Sequence, residues 1–252
     1  MGTINVRQDQ TVCSFEELAR LVQPFRKDGD WIFRGVRQSD YELIPKIGRL
    51  GSRKAVGSGD DLAYDRNAEE TMYRHFVRSA APYVKHVPTS RLEWLALAQH
   101  HGMFTRLLDW TESLLVAAYF AVEDARNRPH PPMIYAVKDV PLAPADKHDD
   151  LDALDDVMLY YPLHISPRIP AQTGLFTVHK HPDRPFRPQD LVRITIERSP
   201  LTLKLNLNAC GVHKGSLFPD IDGLAEYQSW LYKWGEHMRY EDDGSQQPGS
   251  GD

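Results

Sequence analysis

Apolar residues recur along the chain in two rhythms, one returning every third or fourth position and one every second, and together they predict a mixed α and β protein. Ser14-Phe15-Glu16-Glu17 reads as a capping box, in which the serine side chain accepts from the third helical amide while the glutamate returns to the serine's own. The first helix is expected to run from there to about Gln23. Trp31-Ile32-Phe33 follows the turn Lys27-Asp28-Gly29-Asp30 and reads as a short buried strand that delivers Arg34 and Gly35 to its end. A helix is expected over about 62–81. Ser90-Arg91-Leu92-Glu93 is a second capping box, opening a helix with Leu92, Leu95, Ala96 and Gln99 at helical spacing, and Gly102 should end it. A third helix is expected with Thr111 as its N-cap, continuing through Ser113 to about Arg126. Its broad apolar face comprises Leu114, Val116, Ala117, Phe120 and Ala121. Residues 133–137 read as a strand, and 191–196 as another with inward and outward alternation.

The stretches between these elements set the domain organisation. Gly51, Gly57 and Gly59 stand in a polar setting that reads as a mobile loop. Residues 146–156 are acidic and read as a short exposed helix whose charge is a solvated face, not a metal site. Asp220 reads as a helix N-cap, and Trp230 and Trp234, one turn apart, are expected to pack on the core. Residues 241–252 lack large apolar side chains and are expected to be disordered. The expected organisation is an N-terminal lead over 1–13, one α+β domain over 14–240 with a mixed sheet core flanked by helices, and a tail over 241–252. A length of 252 residues lies within what one hydrophobic core can organise.

Charge and cysteine content narrow the function classes. A net charge of −5 argues against a surface that is wholly an electrostatic footprint for nucleic acid, so any anion site must be local. Cys13 and Cys210 lack the spacing of a zinc site or a disulfide framework, which suits a reducing compartment, and both read as buried or incidental thiols. No secretory apolar core and no run of about twenty apolar residues is present, so the expectation is a cytoplasmic protein without a membrane partner. Met1-Gly2 is not an acylation signal, because Val6 stands where that motif needs Ser or Thr.

Candidate chemistry concentrates in Gln99 to Thr111, a run holding His100, His101, Thr105, Arg106, Asp109, Trp110 and Thr111. One reading is architectural: the histidines meet free carbonyls at a helix end, and Arg106 pairs with Asp109. The other places a ligand phosphate at the helix start after Thr111, with Arg106 as a clamp. Adjacent histidines point about 100° apart on a helix, and no third ligand has metal spacing, so no metal is expected. Arg34 has Lys46 and Arg49 close behind it, and three cations could converge on a polyanion while Gly35 permits close backbone approach.

Trp31-Ile32-Phe33-Arg34-Gly35-Val36, then Tyr41 to Lys46 with Arg49, resembles the opening of the FRG-domain family, named for its Phe-Arg-Gly triplet. Gln99-His100-His101-Gly102 with Thr105 to Thr111 is similar to that family's central motif, and residues 172–179 and 216–224 resemble later family segments in the same order. Leu114-Leu115 departs from it, because the family pattern carries a proline after the serine. The resemblance spans about 14–235 and implies a bacterial or phage-defence component.

A more distant resemblance, to ADP-ribosyltransferases of the Arg-Ser-Glu type, implies chemistry and an ADP-ribosyltransferase-like fold. Under it NAD is the substrate, Arg34 grips pyrophosphate and Thr111 orients the nicotinamide ribose. His101 or Gln172 hydrogen-bonds a ribose hydroxyl, and Trp110 or Phe176 stacks on a ring. Gly35, Lys46, Arg49, His100, Arg106 and Asp109 complete the implied binding set. Gln172 occupies the place of the usual glutamate, and a neutral amide cannot act as a carboxylate. The competing expectations are a noncatalytic module that senses a nucleotide, a nucleic acid or a phage protein, and a metal-assisted hydrolase. The macromolecular acceptor is not legible.

Overall fold

Most of the longer helices begin where a side chain takes up a free amide. In the computed structural model, which describes residues 5–124, 128–163 and 167–234, Ser14 Oγ accepts from the Glu17 amide at 3.2 Å and Ser90 Oγ from the Glu93 amide at 3.3 Å. Asp65 and Ser113 do the same for two further helices. In both expected capping boxes the return arm lands one residue early. Glu17 accepts from Cys13 N at 2.7 Å and Glu93 from Thr89 N at 2.5 Å, because those amides precede the cap and lack a strand partner.

Along the chain the elements are β1 (Gln10–Val12), α1 (Phe15–Asp28), β2 (Ile32–Val36), β3 (Arg53–Lys54), β4 (Asp61–Leu62), α2 (Arg66–Ala80), α3 (Arg91–His100), β5 (Leu107–Thr111) and α4 (Leu114–Val122). They continue as β6 (Met133–Val137), β7 (Val157–Tyr160), α5 (Arg168–Ala171), β8 (Gly174–His179), β9 (Val192–Ile196), α6 (Pro200–Ala209), α7 (Lys214–Leu217) and α8 (Ile221–Trp234). The fold is thus α+β. Seven strands form one mixed sheet in the order β1-β9-β6-β2-β5-β8-β7, with β1 parallel to β9 and the other neighbours antiparallel; β3 and β4 make a separate hairpin within the glycine-punctuated loop.

Several boundaries differ from the expected ones. Helix α1 passes through Pro24 to Asp28 instead of stopping at Gln23, since the added turn buries Phe25 edge-on against Trp31 and Phe33, which outweighs one missing amide. Leu107–Thr111, expected as part of a connecting loop, is a central strand, so Thr111 ends β5 and Ser113 caps α4 instead. The acidic stretch forms only a turn of 3-10 helix at Ala145–Lys147, and Leu151 and Leu154 tuck into the core. Cys13 and Cys210 are both exposed, and so is Trp234. The expected tail over 241–252 and the stretch near Arg126 lie outside the described residues. Among those described, no helix is long and apolar enough to cross a membrane.

Two groups of helices cover one face of the sheet. Phe33, Ile134, Ala136 and Ile194 meet α1, α4 and α6, whereas Leu107, Phe176 and Val178 meet α3. The opposite face carries Ile32, Val36, Leu108, Trp110, Met133, Tyr135 and Val137 under the loop holding Phe186 and Leu191. Between the two helical groups the sheet itself loosens. Strand β2 pairs with β6 over five residues, and β5 with β8 over five, but β2 and β5 share only Phe33↔Thr111.

Candidate functional site

A cleft of about 570 Å³ opens where β2 and β5 part. Its walls are β2 and the ends of β5 and β8 on the sheet side, with the C-terminal turn of α3, α4 and the α5 turn around them, and Phe218 closing one side. The sheet can gape here because pairing is confined to one residue pair, and the side chains in the gap must then supply the missing hydrogen bonds.

Arg34 does so. Its Nη1 donates to the carbonyl of Asp109 at 2.6 Å and lies 3.5 Å from Asp109 Oδ2, and its side chain is 17% exposed. Asp109, with a side chain 60% exposed, also accepts from Gln99 Nε2 at 3.0 Å. Gln99 is in turn oriented by Thr105, whose Oγ1 donates to Gln99 Oε1 at 2.5 Å. Arg49 borders the same space; its Nε donates to the Ile44 carbonyl at 2.9 Å, and it forms an ion pair with no carboxylate among the described residues. Partial desolvation and the neighbouring Arg34 charge both lower its pKa. Burial, then the charges of Arg168 and His101, pushes His100 down to about 4, so this imidazole on the cleft wall is neutral near neutral pH.

Thr111 and Gln172 reach the same cleft from β5 and the end of α5. The Thr111 side chain bonds to the Gln172 backbone: its Oγ1 donates to the Gln172 carbonyl at 2.7 Å, lies 2.9 Å from Thr173 Oγ1 and accepts from Ser113 N at 3.1 Å. Thr111 is only 3% exposed. The Gln172 amide donates to the Leu217 carbonyl at 3.0 Å. Thr173 beside it has φ of 43°, a left-handed conformation costly for a β-branched residue and held by the Thr111 hydroxyl and by Glu112 N, which donates to the Thr173 carbonyl.

The other residues of the implied set divide: Gly35, Trp110 and Phe176 border the cleft, whereas His101 and Arg106 do not. His101 is exposed and lines a separate groove with Phe76 and Tyr83, because α3 turns it one position away from His100. Arg106 is buried in a bidentate pair with Glu69, at 2.8 and 2.5 Å, and receives Tyr64 as a further partner. It neither clamps the cleft nor pairs with Asp109; β-strand alternation points it elsewhere. Lys46 lies over the Phe104 ring at 4.3 Å in an adjoining lobe that shares Arg34, Arg49, Gln99 and Asp109 with the main cleft. Gly35 borders the cleft, and its missing side chain also serves packing: an added Cβ would stand 1.9 Å from the Ala117 carbonyl oxygen of α4. Trp110 is buried and donates to Thr177 Oγ1 at 2.9 Å, and Phe176, although on the lining, is mainly core.

Sequence reasoning missed Arg168 and Phe218 as wall residues. Arg168 pairs with Asp220 at 2.5 Å and lies over the Phe218 ring, a cluster assembled from elements with no local signature. Asp220 does cap α8, through Gly223 N at 2.8 Å. Among the described residues, no group of three or more His, Cys, Asp or Glu side chains is placed to hold a metal ion.

Residues 29–129 match the family model of the FRG domain, a span that runs from the turn before β2 past α4 and contains both the Phe33-Arg34-Gly35 triplet and the run from Gln99 to Thr111. The segments at 172–179 and 216–224 lie beyond that match. No curated protein and no solved structure matches the chain.

Proposed function

Because this chain carries an FRG domain, whose motif residues form the walls of the cleft, we propose that the cleft binds NAD and that the protein acts as an ADP-ribosyltransferase or NAD glycohydrolase. The observation that carries this reading is that Arg34, Thr111 and Gln172, far apart in sequence, line one cleft together with a second guanidinium, Arg49. Two cations and ring-bearing walls, Phe120, Phe176 and Phe218, suit a ligand that joins phosphates to flat rings. A volume of about 570 Å³ is in the range of small-molecule sites.

In this reading Arg34 and Arg49 hold the pyrophosphate. The bond between the nicotinamide nitrogen and the ribose C1′ breaks with its electron pair leaving on nicotinamide, and an acceptor oxygen or nitrogen, or water, bonds to C1′ and gives up its proton. The carboxylate facing the cationic ribose is Asp109, held by Arg34 and Gln99, since Gln172 carries no charge. The acceptor is a macromolecule, and phage defence within the cytoplasm is the setting that the family resemblance suggests.

One observation favours a noncatalytic sensing module instead. The Thr111 hydroxyl is committed to Gln172, Thr173 and Ser113, so it does not meet a ribose without rearrangement, and one N–H of the Gln172 amide is held by Leu217. Incubation of the purified protein with NAD and candidate macromolecules separates the readings. Released nicotinamide that disappears in Arg34→Ala and falls at least tenfold in Asp109→Asn is expected. Saturable NAD binding without release makes the protein a sensor, and absence of both removes NAD as the ligand.

A further inference from the structure

A second cavity, of about 440 Å³, lies between α4, α6 and α8 and has no part in the cleft chemistry above. Tyr119 on its wall is 1% exposed, and its hydroxyl has no hydrogen-bond partner. The indole Nε1 of Trp230, on the same wall, is also buried without a partner. Leaving two buried donors unmet in one place is unfavourable, and natural folds rarely do so unless something else supplies the acceptor.

Charge and shape define that acceptor. Lys204 sits 5.1 Å from the Trp230 ring centroid and 5.8 Å from that of Tyr119, and uses one ammonium proton on the Glu123 carbonyl at 2.5 Å, out of three such donors. Lys214 bridges Glu123 at 3.0 Å and Glu226 at 3.1 Å. Two lysines and two glutamates balance, so a ligand with a net charge would upset the pairing while an uncharged acceptor would not. The cavity also holds a ladder of rings: His213 stacks on Tyr227 at 4.0 Å and 7°, and Tyr227 lies nearly parallel to Trp230 at 6.4 Å and 15°. A flat ligand fits parallel to such an array, edge to edge with one of its rings.

We infer that this cavity binds an uncharged planar heteroaromatic ring bearing a ring carbonyl, of the nucleobase class. The ring lies at the edge of the Trp230 indole and in its plane, so that the carbonyl oxygen accepts from Trp230 Nε1 and Lys204 Nζ, and the Tyr119 hydroxyl meets a ring nitrogen. The site shares only Glu123 with the lining of the cleft, and none of its proposed ligand contacts is a cleft residue. Its competing occupant is water alone, which can satisfy buried polar groups.

Titration of the full chain with hypoxanthine, followed by calorimetry and tryptophan fluorescence, tests the inference. Saturable binding at one site is expected, weakened about fivefold by Tyr119→Phe and similarly by Trp230→Phe, the share of one hydrogen bond each. Tyr119→Phe should at the same time leave the thermal midpoint of the ligand-free protein unchanged or raised, because it deletes an unpaired buried hydroxyl. Arg34→Ala should bind hypoxanthine as the parent does, which separates this cavity from the cleft. No saturable binding, binding undiminished in both aromatic variants, or binding lost in Arg34→Ala would each overturn it.

Discussion

Gly35 shows how a motif residue can be required for packing while its neighbour faces the ligand space. The missing Cβ lets α4 rest directly on β2, with the Ala117 carbonyl and the Ala121 amide where a methyl would be. Gly35→Ala must push the helix off the sheet and should cost about 3 kcal/mol, the upper end for overpacking. Urea denaturation would show it as a lowered midpoint, and an unchanged midpoint would contradict the close approach. Arg34, one position before Gly35, points away from α4 and closes the gap at Asp109. The Phe-Arg-Gly triplet therefore joins a core ring, a cleft cation and a helix seat. Arg106 is the converse case: charge and position resembled a phosphate ligand, but Glu69, brought from α2, takes its guanidinium into the interior. A buried pair of this kind is strongly destabilised when one member is removed, so its presence speaks for architecture.

At the scale of elements, the site exists because β2 and β5 pair at one point only and α3 and α4 stand apart on the same face. The turn from α5 into β8 is then tied to the end of β5 by the Thr111 hydroxyl together with the Glu112 amide, and the hydroxyl also helps hold Thr173 in its left-handed conformation. Thr111→Val keeps the shape and removes these bonds. A loss of about 1–3 kcal/mol is expected, from the carbonyl, hydroxyl and amide left unmet. Chemical denaturation checks the loss, and hydrogen exchange faster at residues 172–174 than in the parent would locate it. Equal stability and equal exchange would mean that the turn is held by its own backbone. Much of this level was legible beforehand: the caps at Ser14 and Ser90, the helix ending at Gly102 (φ 86°) and the strands at 133–137 and 191–196 follow from local chemistry. The strand at 107–111 was not, because Leu-Leu-Asp-Trp-Thr does not alternate and its strand character comes from its two neighbours.

For the molecule as a whole, buried histidines make stability depend on pH, His179 and His100 most strongly. Burial, with Arg34 and Arg106 nearby, pushes His179 down to about 3, and burial beside Arg168 and His101 pushes His100 to about 4, both from 6.5. Below pH 6.5 the unfolded chain takes up protons that the folded one refuses, so stability should decline as pH falls from 6.5 towards 4. Depressed carboxylates such as Glu70 add their loss lower, beneath 4.5. Denaturant midpoints across that window should fall in the parent and fall less steeply in His100→Gln; a flat profile, or equal slopes, would refute the assignment. What the sequence by itself determined was everything that depends on near neighbours: α+β character, helix starts, the Phe-Arg-Gly strand and the charged run through Asp109. Only the tertiary structure decided which of those charges share a space. Arg34 met Asp109 and not Arg106, His100 reached the cleft and His101 turned aside, because the direction of a side chain is set by strand register and helix phase, and the partner it meets by how elements distant in sequence pack.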